Sequence, residues 1–202
     1  MLSRLVVTAL LAAAMLLFAG CYGARETDDI AYILIIGIDK AAGGREKVTY
    51  QIAVPRAVSG GASGAGGAAG GGGQSSPWVI STVIAPSPSE LRSLLNTSLS
   101  RFPNVSHITA YVFSEEAARQ GIGPSLAYIV RSRELRETML LIVVAGSAEE
   151  YIKRNKPSLE LTIAKYYETM TTSASYSSYF LPVRFHDFYT RLKSAGGSPC
   201  AI

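Results

Sequence analysis

The sequence predicts an α+β domain, a mixed β-sheet with helices packed on it, set behind an export leader. Three patterns carry that prediction: an apolar run behind Arg4 at the start of the chain, three strand-like segments in succession between Ile30 and Ala85, and an alternation of strands and helices after Ser87.

From Leu5 to Gly20 the only polar side chain is Thr8, and Arg4 and the α-amino group precede it, which is the profile of a secretory signal. Crossing about 30 Å of hydrocarbon takes about 20 apolar residues at 1.5 Å each, so the stretch is short for a spanning helix. It ends in Leu17-Phe18-Ala19-Gly20-Cys21. That ending resembles the lipobox of bacterial lipoproteins, with Phe18 where Leu is usual, and implies a lipoprotein signal peptide over residues 1–20 and a diacylglyceryl group on the Cys21 thiol. Small Ala19 and Gly20 admit the peptide to a protease site, and the cysteine is the soft nucleophile there. An uncleaved anchor with an incidental cysteine is the other reading, and both leave the rest outside the cytoplasm. Two lipid chains anchor a protein stably where one does not, at about 0.8 kcal/mol per buried methylene. Residues 21–29 read as a tether, since Tyr22 to Asp29 lack apolar periodicity and reach at most about 28 Å.

Ile30 to Ile38 is a nearly continuous apolar run, the pattern of a strand covered on both faces. After a turn at Ala41 to Gly44, Val48, Tyr50, Ile52 and Val54 alternate with polar residues, and Trp78 to Ala85 is β-branched. These form a meander whose second connection is a flexible loop over residues 59–76, where nine of eighteen residues are Gly. Loop closure costs only about 0.6 kcal/mol per doubling of length, so the strands beside it still pair. Within it, Gly64-Ala65-Gly66-Gly67-Ala68-Ala69 fits a dinucleotide fingerprint by low complexity alone, and no phosphate loop or nucleophile elbow follows.

Ser87-Pro88-Ser89-Glu90 is a capping box with Pro at the first helical position, and Leu91, Leu94, Leu95 and Leu99 make one apolar stripe behind it. His107 to Phe113 reads as a strand, Ser114-Glu115-Glu116 as the start of a short helix ending at Gly121, and Pro124 as the start of another. Thr138 to Ala145 is a hydrophobic strand. A second capping box, Ser147 to Glu150, opens a helix that stops before Pro157, and Leu159 to Met170 is helical again. Thr171 to Tyr179 reads as a loop before an amphipathic helix over about 183–192. The domain is thus expected over 30–170, with 171–202 a loop and the start of a second, truncated region.

Composition narrows the function. Nineteen Lys+Arg against fifteen Asp+Glu give a net charge of +4, too weak a surplus to mark a nucleic-acid binder without clustering. Two cysteines, Cys21 and Cys200, and two histidines, His107 and His186, make no disulfide framework or four-ligand metal motif, and no cofactor is expected. Each histidine reads as a packed or capping residue, and no serine is marked as a nucleophile. Asp39, at the end of a buried strand, is expected to cap its own turn, beside Lys40. Of Arg131 and Arg136, at least one is expected to form an internal ion pair, with Glu115 a possible acid. Cys200 receives no role.

In order along the chain, these residues resemble the Ger(x)C family, the C-subunit lipoproteins of spore germinant receptors in endospore-forming bacteria. The resemblance rests on the lipobox at Cys21, Gly37-Ile38-Asp39-Lys40, Gln51 with Pro55, and His107 leading to Ser114-Glu115-Glu116-Ala117-Ala118. It continues through Gly121-Ile122, the pair Arg131 and Arg136, and Ala145-Gly146-Ser147-Ala148. It implies a non-enzymatic subunit, lipid-anchored on the extracytoplasmic face of the inner spore membrane, working with a multi-spanning A subunit and a transporter-like B subunit in nutrient-triggered germination. The small-molecule germinant would then act on it only indirectly, and Gly37, Asp39, Lys40, Glu115, Arg131 and Arg136 would be structural or partner-interface residues. Family chains are typically longer, so a truncated form is expected. Two alternatives stand beside it: a small-solute-binding lipoprotein of the cell envelope, and a tethered hydrolase using His107 or His186.

Overall fold

The computed structural model describes residues 1, 4–8, 29–54, 77–160, 162–176, 181–194, 196–197 and 199. The lipobox with Cys21, most of the tether, the Gly-rich loop over 59–76 and Cys200 lie outside the described residues.

The meander forms as its sequence dictates. β1 (Ile30–Ala41) and β2 (Arg45–Ala53) pair antiparallel from Ala41↔Arg45 to Ile33↔Ile52 around a 3-10 turn at Ala42–Gly44. Gly43 and Gly44 there have φ of 75° and 73°, a conformation that glycine adopts without steric cost. β3 (Trp78–Ala85) pairs antiparallel with β2 along its whole length. Val54 N donates to Pro77 O at 2.9 Å, so the pairing of the two strands reaches the last described residue on either side of the Gly-rich segment.

β1 is central because it is apolar on both faces. Its other edge runs parallel to β4 (Phe102–Asn104) and then to β5 (Ala110–Ser114), and β5 runs parallel to β6 (Leu140–Val144). The sheet is therefore mixed, in the order β3-β2-β1-β5-β6 with β4 beside the start of β1. β4 carries no signal in the sequence: it is three residues long and contains Pro103, which fits only where its nitrogen owes no ladder bond. A register shift between Ile33 and Ile35 resolves the apolar run of β1. Ile33, Ile36 and Ile38 enter one core, and Leu34 and Ile35 enter the other.

Helices cover both faces. On the first lie α1 (Pro88–Ser98), α2 (Glu115–Gln120), α3 (Gly123–Arg131) and α6 (Phe185–Lys193), which bury Leu95, Ala117, Leu126, Ile129, Phe185 and Phe188. On the second lie α4 (Ala148–Arg154) and α5 (Ile163–Ser173), which bury Ala148, Ile152, Ile163 and Tyr167. The architecture is α+β, a mixed sheet with packed helices.

Two boundaries differ from expectation. α5 is capped by Thr162, whose hydroxyl accepts from Lys165 N at 3.3 Å, and runs from Ile163 through Ser173 into a 3-10 turn at Ala174–Tyr176. Within this Thr-rich segment Thr171 and Thr172 satisfy their hydroxyls on the carbonyls four residues back, at 2.7 and 3.1 Å, which leaves them compatible with the helix. Residues after 170 also belong to the same domain: Leu141 N donates to Val183 O and Phe185 N to Met139 O, both at 2.9 Å, so this segment lines the free edge of β6 before α6 enters the core.

Gly37 lies where α4 crosses β1. A Cβ there would stand 2.5 Å from Ile152 Cδ1 and 3.3 Å from Ala148 Cβ, both in a closed core. The glycine is required by close approach. Gly37→Ala is expected to lower the unfolding free energy by about 1–3 kcal/mol through overpacking. In an Ile152→Val background, which lacks the clashing Cδ1, urea denaturation should show a clearly smaller cost.

Candidate functional site

β1, β5 and β6 run parallel, and their carboxyl ends open on a crevice of about 620 Å³ lined by Asp39, Lys40, Ser114, Glu115, Arg119 and Ser147, among others. In open α/β sheets this end of the strands is where loops and helix starts converge. Four of the residues of interest meet here or just beneath: Gly37, Asp39, Lys40 and Glu115.

Asp39 does not cap its own turn. Its buried carboxylate instead accepts from Ala148 N (2.8 Å), Glu149 N (2.9 Å) and Ser147 Oγ (3.1 Å), holding the start of α4 from a strand more than a hundred residues earlier. The first amides of a helix have no intrahelical acceptor, and a carboxylate supplies both acceptors and favourable charge. Ser147 also accepts from Glu150 N at 3.4 Å, so the second capping box is used together with the remote aspartate. In the first capping box, by contrast, Ser87 Oγ lies 3.3 Å from Glu90 Oε1 and makes no cap bond to the backbone.

Register then builds a charged cluster beside this junction. Lys47 stands opposite Asp39 on β2 and pairs with Glu149, whose carboxylate also accepts from Lys153 Nζ at 2.6 Å and Thr82 Oγ1 at 3.3 Å. Glu149 therefore ties α4 to β2 and β3. The two ammonium groups hold its carboxyl at about 2 against the usual 4.5, with the hydrogen bond from Lys153 the larger cause and that from Lys47 the next, and the hydrogen bond to Glu149 in turn raises Lys47. On the opposite face Lys40 pairs with Glu46 at 3.3 Å, and the second oxygen of Glu46 is buried without a partner. Gln51 is fully buried between β1 and β3 with both amide atoms unpartnered.

The remaining candidates are elsewhere or differently engaged. Glu115 pairs with Arg119 at 2.7 Å, not with Arg131 or Arg136. Both of those arginines are exposed, and among the described residues neither forms the expected internal ion pair. The cause is position: Arg131 ends α3, while Arg136 sits at the amino end of β6, across the sheet from Glu115. His107 packs edge-on to Tyr32 with centroids 5.3 Å apart, and exposed His186 Nδ1 lies 3.1 Å from Glu137 Oε2. Ser114 Oγ accepts from Ala117 N at 3.2 Å, and no hydrogen bond between a serine and a histidine occurs among the described residues. Among the described residues no group of three His, Cys, Asp or Glu side chains is placed to hold a metal ion, and no helix is long and apolar enough to cross a membrane. At the crevice the side chains thus form a fixed, charge-paired surface.

Sequence reasoning missed Lys47, Glu46 and Glu149. The hairpin held the usable signal: a three-residue turn after Ala41 sets Lys40 opposite Glu46 and Asp39 opposite Lys47. Nothing local pointed from β1 to Glu149. Because the carboxyl of Glu149 is lowered on folding, its contribution is complete above about pH 4.5 and is lost as pH falls toward about 2. The unfolding free energy of the protein should therefore fall more steeply than that of Glu149→Gln over that window, and coincident acid limbs in denaturant titrations would contradict the assignment.

Comparison with known proteins matches residues 23–202 to the family described as Spore germination protein N-terminal domain. The chain is 27% identical over 186 residues to the Bacillus subtilis (strain 168) protein named "Putative spore germination protein YfkR", an alignment covering 92% of this chain and 46% of that protein. It thus spans about half the length of this curated relative. No solved structure matches the chain. With the family match covering nearly all of the folded region, the chain belongs to the spore germination protein N-terminal domain family.

Proposed function

We propose that this chain is a non-enzymatic, membrane-anchored subunit of a spore germinant receptor, acting in nutrient-triggered germination. The observation that carries the proposal is the family match, which starts at residue 23, two positions after the lipobox cysteine. Cys21 carries the lipid, the signal peptide over 1–20 is removed, and residues 21–29 tether the domain to the extracytoplasmic face of the inner spore membrane. Its partners are the A and B subunits of the receptor, and the germinant reaches it only through them.

The charge-paired crevice supports a docking role over catalysis. Asp39, Glu149, Lys40 and Glu115 each already hold protein partners, and the serines at the crevice serve as helix caps. Groups spent on fixing the backbone give a surface of constant shape, which suits a subunit that works by contact.

Two measurements test this reading. Intact-mass analysis should find a mature chain beginning at Cys21 and carrying a diacylglyceryl increment, and Cys21→Ala should lose the increment and keep the leader. Affinity capture of the tagged full chain from detergent-solubilised spore membranes should recover multi-spanning receptor subunits. Recovery of an unlipidated chain with no integral partner would overturn the proposal.

A further inference from the structure

At the opposite end of the sheet, the amino ends of β5 and β6 border a second cleft of about 1030 Å³ between the sheet and α5. Small-molecule sites are typically about 300–1,000 Å³, mostly apolar, with a few convergent polar groups. Here Leu34, Met139 and Leu140 are buried side chains at its edge, and Ala164 and Tyr167 of α5 form the facing wall. α5 is pinned to the sheet through Ile163 and Tyr167, and its later turns, with Glu168 and Thr171, stand over the opening.

The polar groups are unevenly charged. Arg136 and Arg184 both line the cleft, and the backbone brings them together from distant positions. Arg184 is bridged directly across from Leu140, and Arg136 O accepts from Met139 N at 3.4 Å in the turn that enters the same strand. Neither guanidinium has a carboxylate within ion-pair distance among the described residues. The single acid on the lining, Glu168, is held by Lys165 Nζ at 3.0 Å. Tyr32 and His107, packed edge-on, add an aromatic wall near the arginines. Two unpaired planar cations beside an apolar floor match a ligand with an anionic head and an apolar body, because guanidinium groups bind carboxylates with paired, charge-assisted hydrogen bonds.

We propose that the cleft between α5 and the amino ends of β5 and β6 binds a small organic carboxylate, its head on Arg136 and Arg184 and its aromatic or branched aliphatic body against Leu34, Leu140 and Tyr167. The site is on the other side of the strands from the charge-paired crevice and does not depend on the receptor assignment. It leaves the crevice free for protein contacts.

The test uses 4-fluorophenylacetate as the probe, titrated into the detergent-solubilised chain and followed by 19F NMR. Saturable binding is expected, and the neutral isostere 4-fluorophenylacetamide, which partitions into micelles but lacks the charge, should bind at least about tenfold more weakly, since it cannot form the paired, charge-assisted hydrogen bonds of a carboxylate. Arg136→Gln and Arg184→Gln should each weaken binding about fivefold or more. Arg154→Gln, an exposed arginine paired with Glu150 on α4, should not change it. Circular dichroism checks that each variant is folded, and Arg136→Lys and Arg184→Lys provide charge-conserving versions that should retain part of the affinity. Equal binding of acid and amide, undiminished binding by the Arg136→Gln, Arg184→Gln double variant, or no saturation up to about 10 mM probe would overturn the proposal.

Discussion

One carboxylate organises the domain. Asp39 stands at the end of the central strand and satisfies the first two amides of α4 together with the Ser147 hydroxyl. Buried backbone donors left without acceptors are costly, so the helix start and the strand end are held at one place and in one orientation. Two residues earlier on the same face, Gly37 removes the side chain that would keep α4 away, and Ile152 and Ala148 fill the space. The glycine sets the distance and the aspartate sets the register. Lys47 and Thr82 then reach Glu149 because α4 is fixed over β2 and β3, so the charged cluster follows from the junction.

The strand-level organisation was legible because it depends on local pattern. A doubly buried run such as Ile30 to Ile38 has few alternatives to a central strand, and Ser114 and Ser147 before acidic residues mark helix starts that the structure contains. What was not legible depends on tertiary contacts. The role of Asp39 required knowing that a residue 109 positions later would present an amide to it. β4 is held by its pairing with β1 and not by its own three residues, and α5 is held by the packing of Ile163 and Tyr167 on the sheet. Opposite charges near one another in sequence also misled: Arg131, Arg136 and Glu115 share a family pattern, yet the β5-to-β6 connection separates Arg136 and Glu115 to opposite ends of the sheet.

A mixed sheet with helices on both faces has two ends, and this chain gives them opposite character. At the carboxyl ends of β1, β5 and β6, Asp39, Lys40, Glu115 and Glu149 each hold a protein partner, which suits a rigid contact surface. At the amino ends of β5 and β6 Arg136 and Arg184 line a cleft floored by apolar side chains, which suits a small anion. Residues of the motifs that carry the family resemblance, Asp39 and Arg136 among them, fall at both ends.

The most direct measurement of the central claim is amide hydrogen exchange at Ala148 and Glu149. First-turn helix amides ordinarily exchange rapidly because they lack intrahelical acceptors. The account predicts that these two are protected nearly as well as the β1–β5 ladder, and that Asp39→Ala exposes them while the ladder stays protected. Exchange at the rate of the uncapped first-turn amide of Glu116, in the unmodified protein, would contradict it.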